Sequence, residues 1–302
     1  AGYGITEERL GVPVVTTVDT VYLGNCANGR PVWFDRAAYE ADLIVPINRV
    51  KLHTDFVGPI QSGLCKMLVI GLGNHKGCSA VHEEAPEVFA GAIEETARLI
   101  LQKAPVGFGI AILENAYDKT YAVEAVPAEH LVEREKELVQ IAKGNMPYIM
   151  LDEADVIVCG AIGKDISGAG FDPNILGRSS VLKQFVLHIP RYQRLVLCDV
   201  TPASHGNGIG VGLFDVITKK VAEQLDLESM YANAIACNCL GDASVPCTVD
   251  DEETAIRVAL KCCRNIDRDH PRIIRIQNTL HLGEIEVSEA LLDAVRADSR
   301  MS

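Results

Sequence analysis

Apolar residues fall along the chain into short continuous runs, separated by longer stretches in which they recur at helical spacing. In the first half Val14 to Val18, Leu43 to Ile47, Met67 to Ile70 and Gly109 to Glu114 read as strands, and Asp35 to Tyr39, Glu84 to Lys103 and Ala128 to Lys143 as helices. The last of these runs into Gly144-Asn145-Met146-Pro147, residues that stop a helix and open a loop. Beyond it Val156 to Gly160, Leu195 to Val200 and Arg272 to Ile276 read as buried strands, with helices over Asp215 to Leu225, Asp251 to Cys263 and Ser288 to Ala297. Strands alternating with helices predict two α/β domains, residues 1–147 and 148–302, with mainly parallel sheets. Such sheets take ligands at the carboxyl ends of their strands, so the active site is expected in the cleft between the domains.

Composition narrows the classes. A chain of 302 residues that is 48% hydrophobic and 23% charged buries a core, which excludes disorder as its main state. Lys and Arg number 28 against 41 Asp and Glu, and the net charge of −13 argues against a nucleic-acid partner. No run reaches the roughly 18 apolar residues of a membrane span, and no basic segment followed by an apolar run opens the chain. A cytoplasmic protein without a membrane partner is the expectation. The chain opens on Ala1 rather than Met, and Ala1 to Glu8 reads like an internal segment, so an N-terminal stretch is expected to be missing. Ten cysteines are too dilute for a disulfide scaffold, and Cys237/Cys239 and Cys262/Cys263 lack the spacing of a zinc site.

Five stretches can carry chemistry. Lys51 to Phe56, continued through Ser62-Gly63-Leu64-Cys65-Lys66 to Gly71, holds His53, a possible general base, and Lys66, an amine whose apolar neighbours favour its neutral, nucleophilic form. A surface loop histidine and a solvated lysine are the structural alternatives. His75 and His82 follow, seven residues apart, too far along a helix for both to grip one metal, so one of them serves as a single ligand or both cap and decorate the surface. Gly71-Leu72-Gly73-Asn74-His75-Lys76-Gly77 after an apolar run imitates a dinucleotide fingerprint, although the expected ribose-binding acid falls inside a helical stretch at Glu94 and Glu95. In the second half, Gly163 to Asn174 with Arg178 has the glycines and cations of an anion site, without the order of a Walker loop. Thr201 to Gly210 is a similar loop, with His205 as a contact or a turn residue. The acidic pairs before helices and Glu133 to Glu137 read as structural, the latter as a solvated helix face.

Taken together, His53, Phe56-Val57-Gly58, Ser62-Gly63-x-x-Lys66-x-x-x-x-Gly71 and His82 resemble the lactate racemase family, nickel-dependent racemases and epimerases of 2-hydroxy acids. The resemblance implies Lys66 as the lysine that forms a thioamide link to a nickel pincer nucleotide, with Ser62 and Gly63 beside it in the cofactor site. It implies His82 as the histidine completing the nickel coordination, with His75 as the alternative ligand, and His53 as one of two catalytic histidines. Lys164 and Arg178 would hold the carboxylate of the 2-hydroxy acid. Cofactor-maturation enzymes are the implied protein partners. The spacing from His53 to Lys66 is longer than in lactate racemase, and the second catalytic histidine belongs to the N-terminal stretch expected to be missing. A nicotinamide-dependent oxidoreductase using the Gly71 to Gly77 turn and a non-catalytic cofactor-binding homologue are the competing classes.

Overall fold

A computed structural model describes residues 4–301. The chain divides into two units, one running to Leu113 and including Thr120–Gly144, the other taking Glu114–Lys119 and the chain from Asn145 onward.

In the first unit, β1 (Thr20–Asn25) and β2 (Pro31–Asp35) form an antiparallel hairpin that slips register between Tyr22 and Gly24. A separate sheet runs in the order β3 (Ile47–Arg49), β4 (Phe108–Glu114), β5 (Thr120–Pro127), with β3 parallel to β4 and Ile47 opposite Ile110. β4 alternates buried Gly109, Ala111 and Leu113 with half-buried residues, as a strand with one covered face must. Gly109 admits the close approach of Leu64 and Leu131, because a Cβ there would stand 2.6 Å from Leu64 Cδ1. The helix Phe89–Lys103 buries Phe89, Ile93, Ala97 and Ile100, a stripe at helical spacing. It begins later than its apolar pattern, since Pro86 interrupts the approach.

Two expected strands are not strands. Val14 to Val18 has no regular secondary structure, and Val15 and Val18 are 70% and 81% exposed. That run lacks the alternation that gives a strand a buried face, and the hairpin starts at Thr20 instead. Met67 to Ile70 is helical: Leu64–Lys66 forms one α-turn and Met67–Gly71 continues it as a π-turn, closed by the Leu72 N–H donating to the Met67 carbonyl at 2.9 Å. Four apolar residues in a row carry no period, and Leu68 and Val69 are buried in the helix as they would be in a strand. This also removes the structural context of the dinucleotide fingerprint, which needs a strand ahead of its glycines. Leu43 to Ile47 contributes only an isolated bridge from Ile44 to Val106 before β3 begins at Ile47.

The second unit is built on a six-stranded sheet in the order β11 (Ile285–Val287), β10 (Ile273–Ile276), β6 (Val156–Cys159), β7 (Arg194–Leu197), β8 (Val216–Thr218), β9 (Cys247–Val249). All neighbours are parallel except β11, which is antiparallel to β10. β6 is buried throughout: Val156 and Val158 pack with Ala255 and Ala259 of the helix Glu252–Lys261, while Ile157 and Cys159 join the larger core with Phe171, Leu195 and Ile217. The fold is α/β. The expected helix Asp215 to Leu225 opens as β8, and the helix proper is Lys219–Gln224, capped by the Thr218 hydroxyl. β9, β11 and the helix Leu227–Ala236 are additions to the sequence reading. The strand order reverses at β6, whose neighbours are β7 on one side and the much later β10 on the other, so the loops after β6 and β10 border the switch point of this sheet.

Candidate active site

The loop after β3 folds back on itself through a buried amide. Gln61 Oε1 accepts the His53 backbone N–H at 2.7 Å and Gln61 Nε2 donates to the Gly58 carbonyl at 3.1 Å. His53 is thereby held with its ring stacked on Phe56, the centroids 4.3 Å apart. Its Nδ1 accepts the Asp55 backbone N–H at 3.0 Å, and its Nε2 lies 2.5 Å from Lys66 Nζ.

These two contacts define the protonation of the pair. A neutral imidazole carries one proton, and with Nδ1 accepting from a peptide it must sit on Nε2. An ammonium has only donors, so Nε2–H can meet Lys66 Nζ only if the amine is neutral and offers its lone pair. The electrostatics agree. Burial lowers the Lys66 pKa, with Lys51 adding to the effect while Asp55 and Cys78 oppose it. Burial also takes His53 well below the usual histidine value, and the neighbouring Lys66, Lys51 and His82 add to that direction, since a proton gained by any of them disfavours one on His53. Lys66 is half-buried, within reach of a reagent yet poorly hydrated.

His82 ends the helix Asn74–His82. Its Nδ1 donates to the Cys78 carbonyl at 2.8 Å, with Cys78 Sγ 3.4 Å away, so the lone pair resides on Nε2. An imidazole whose Nδ1–H is tied to a backbone carbonyl is the arrangement that orients a metal-binding Nε2. Its ring meets Phe89 edge-on at 5.0 Å, and Phe89 lies 4.9 Å from Phe56, so a chain of four rings connects His82 to His53. Among the described residues no group of three or more His, Cys, Asp or Glu side chains is placed to hold a metal by itself. His75 is exposed and lines a separate cleft with Arg30, Trp33 and Lys76, where the Lys76 ammonium sits 4.6 Å above the Trp33 ring.

Ser62 and Gly63 shape the entry to the lysine. Ser62 pairs with Lys51 through both backbone groups, at 2.9 and 3.2 Å. Gly63 starts the helical segment under the carboxyl of Glu135, where a Cβ would stand 2.6 Å from that group. Glu135 corrects the reading of Glu133 to Glu137 as a solvated face, because it is fully buried. The signal was present in the pattern: Leu131, Val132, Leu138, Val139 and Ala142 form the buried stripe of their helix, and Glu135 falls on that stripe.

In the second unit, Gly163 and Lys164 follow β6. The Lys164 backbone N–H donates to Ser204 Oγ at 2.8 Å and its Nζ to the Gly168 carbonyl at 2.7 Å. Gly163 is packed under Thr201, Asp165 and Ser204, which joins the Gly163 to Gly170 loop to the Thr201 to Gly210 loop. His205 adopts a left-handed backbone before Gly206 and is a turn residue. Arg178 is held inside its own unit: it pairs with Asp215 at 2.7 Å, donates to the Leu213 carbonyl and stacks over Tyr192.

No protein-family model and no curated protein matches the chain. Among solved structures it is similar to the lactate racemase apoprotein from Thermoanaerobacterium thermosaccharolyticum, with 14% identity and a TM-score of 0.40 over 77% of this chain and 66% of that one. It is also similar to a protein from Thermotoga maritima, with 11% identity and a TM-score of 0.46 over 93% of this chain and 69% of that one. The chain thus spans about two thirds of the length of each. Among the described residues no helix is long and apolar enough to cross a membrane.

Proposed function

We propose that this chain is part of a racemase or epimerase of a 2-hydroxy acid that carries a nickel pincer nucleotide on Lys66. The observation that carries the reading is the Lys66 amine, which its contact with His53 requires to be neutral and so nucleophilic. The residues fit the group: a lone-pair amine for the covalent link, and His82 with Nε2 unprotonated for a single histidine–nickel bond. A pincer that brings its own donors needs no cluster of protein ligands. When bound, the group supplies a reversible hydride acceptor for the substrate's Cα.

His53 changes role with the state of Lys66. While the lysine is a free amine, Nε2–H donates to it and cannot accept a proton. Once the lysine nitrogen is tied into a covalent link it can only donate. Nε2 must then present its lone pair, with the proton on Nδ1 and the Asp55 N–H released. In that tautomer Nε2 can exchange the lysine N–H for a substrate hydroxyl, take its proton and give it back. Lys164 is the second unit's candidate for an anionic group, and cofactor-maturation enzymes are the partners this reading requires.

The test is to produce the full-length protein with nickel and cofactor-making enzymes, then map the Lys66 peptide by mass, count nickel, and assay racemisation of a panel of 2-hydroxy acids. A mass increment on Lys66 with racemisation supports the reading. An unmodified Lys66 in a preparation that racemises, or a modified one that racemises nothing in the panel, defeats it.

A further inference from the structure

Glu135 is a buried ionisable group for which the proposed chemistry has no use. It is fully buried on the helix Leu131–Asn145, and its surroundings among the described residues offer peptide N–H groups and a thiol in place of a cation. Oε2 accepts the Cys65 backbone N–H at 2.8 Å, the Leu64 N–H and the Cys65 thiol also face the carboxyl, and Oε1 has no hydrogen-bond partner. Burying a carboxyl in this way is costly, and a leucine at the same point of the stripe would fill the space without that cost.

The groups it does contact share one property. Leu64 and Cys65 open the short helical segment whose next residue is Lys66, and Gly63 just before them is the one residue type that leaves room for the carboxyl. The Gly63 carbonyl is held from its other side by Asn48 Nδ2 at 3.0 Å. The backbone from Gly63 to Cys65 is therefore clamped between β3 and the helix Leu131–Asn145, one residue ahead of the reactive amine.

We propose that Glu135 is a positioning residue for Lys66, acting through the Gly63–Cys65 backbone to hold the lysine amine against His53. It takes no part in the chemistry and touches neither substrate nor cofactor. The inference builds on the reading of Lys66 as the reacting amine, but its test needs no cofactor.

The experiment is competitive trace acetylation of the unmodified protein with isotopic acetic anhydride across pH, which yields a titration midpoint for each lysine by peptide mass spectrometry. In the wild type Lys66 titrates below the exposed lysines. Glu135→Ala frees the segment, so Lys66 moves up toward them, by about one unit, and its neutral fraction at pH 8 falls about tenfold. Glu135→Gln keeps an acceptor for the Cys65 N–H and leaves the Lys66 midpoint in place, even though it leaves an amide N–H facing the Leu64 N–H and so lowers the melting temperature. Gly63→Ala pushes the carboxyl away and gives the same upward shift as Glu135→Ala, which covers the case in which the latter does not fold. A Lys66 midpoint unchanged in Glu135→Ala or Gly63→Ala, with only melting temperature lost, would make Glu135 a mere helix cap and overturn the proposal. A downward shift in both Glu135→Gln and Glu135→Ala would overturn it too, since that is the mark of a lost negative charge acting through space.

Discussion

His53 Nε2 and Lys66 Nζ lie 2.5 Å apart although thirteen positions separate the residues in the chain, and the peptide bond of Asp55 decides which of the two nitrogens owns the proton between them. The lysine is presented by a helical turn, the histidine by a loop closed on Gln61, so neither residue's local sequence establishes the contact.

The tautomer is directly observable. Nitrogen-15 NMR of the cofactor-free protein at pH 7 should find the His53 proton on Nε2, with the ring still neutral below the usual histidine midpoint of 6.5, because burial disfavours the charged form. The sign for stability follows: a histidine with a depressed folded pKa helps the fold above pH 6.5, and that help is lost as the pH falls toward the folded value. Proton density on Nδ1 would contradict the neutral lysine.

Lys66→Arg should remove racemisation altogether while shifting the melting temperature little. The guanidinium keeps charge and length but stays protonated and cannot form the covalent link. Intact mass separates this outcome from misfolding, since the variant should carry no increment after exposure to the maturation enzymes. Activity in the variant comparable with wild type would return Lys66 to a supporting role.

For His82→Ala the expectation is loss of about one nickel per loaded chain with the fold intact, because the side chain is exposed and contributes an edge contact to Phe89 and a bond to the Cys78 carbonyl one turn back in its own helix. Metal analysis and circular dichroism are the paired readouts. Nickel retained in full would move the ligand elsewhere, with His75 the next residue to change.

Burial pushes the Glu135 carboxyl up to about 7 from the ordinary 4.5. A raised folded pKa favours the fold below pH 4.5, and that contribution is lost as the pH rises through 7, by up to about 3 kcal/mol. In denaturant unfolding between pH 4.5 and 8, wild-type stability should therefore fall relative to that of Glu135→Gln, whose curve lacks this contribution. Parallel curves over that window would show that the carboxyl is not the titrating group.

Arg178→Met should lower the stability of the second unit by roughly 1–3 kcal/mol, the usual cost of a charged hydrogen bond lost from a half-buried site. If stability is unchanged while the Michaelis constant for a 2-hydroxy acid rises, the arginine belongs to the substrate after all.

What could be read ahead of the structure follows from period and from separation. Helices with a clear 3.6-residue stripe, such as Phe89–Lys103 and Glu252–Lys261, were legible to within a few residues, and so was β6, an apolar run bounded by a turn. Met67 to Gly71 was not, because an unbroken apolar run looks the same in a buried strand and in a buried helix. Three-residue strands such as β8 and β9 carry too few positions for any period, and they exist because an already formed sheet offers them an edge. At the site, Lys66, His53 and His82 were legible as residue types at a spacing. Their neighbours Gln61, Asp55, Cys78 and Glu135 were not, since their parts depend on backbone groups that meet only in the folded chain. Glu135 alone left a trace, a charge on an apolar stripe.

The wide turn at Met67–Gly71 has a consequence for the interval between the lysine and the histidine. A π-turn takes in one residue more than an α-turn and so offsets by about 100° everything that follows it on the same helical axis. The turn thus sets the direction in which the chain leaves the segment that presents Lys66, ahead of the bend at Asn74, whose φ is +51°, that starts the helix ending at His82. Deleting one residue here would tighten the turn into an ordinary helix, and the Gly71 to Asn74 bend is the nearest place able to absorb the lost rotation.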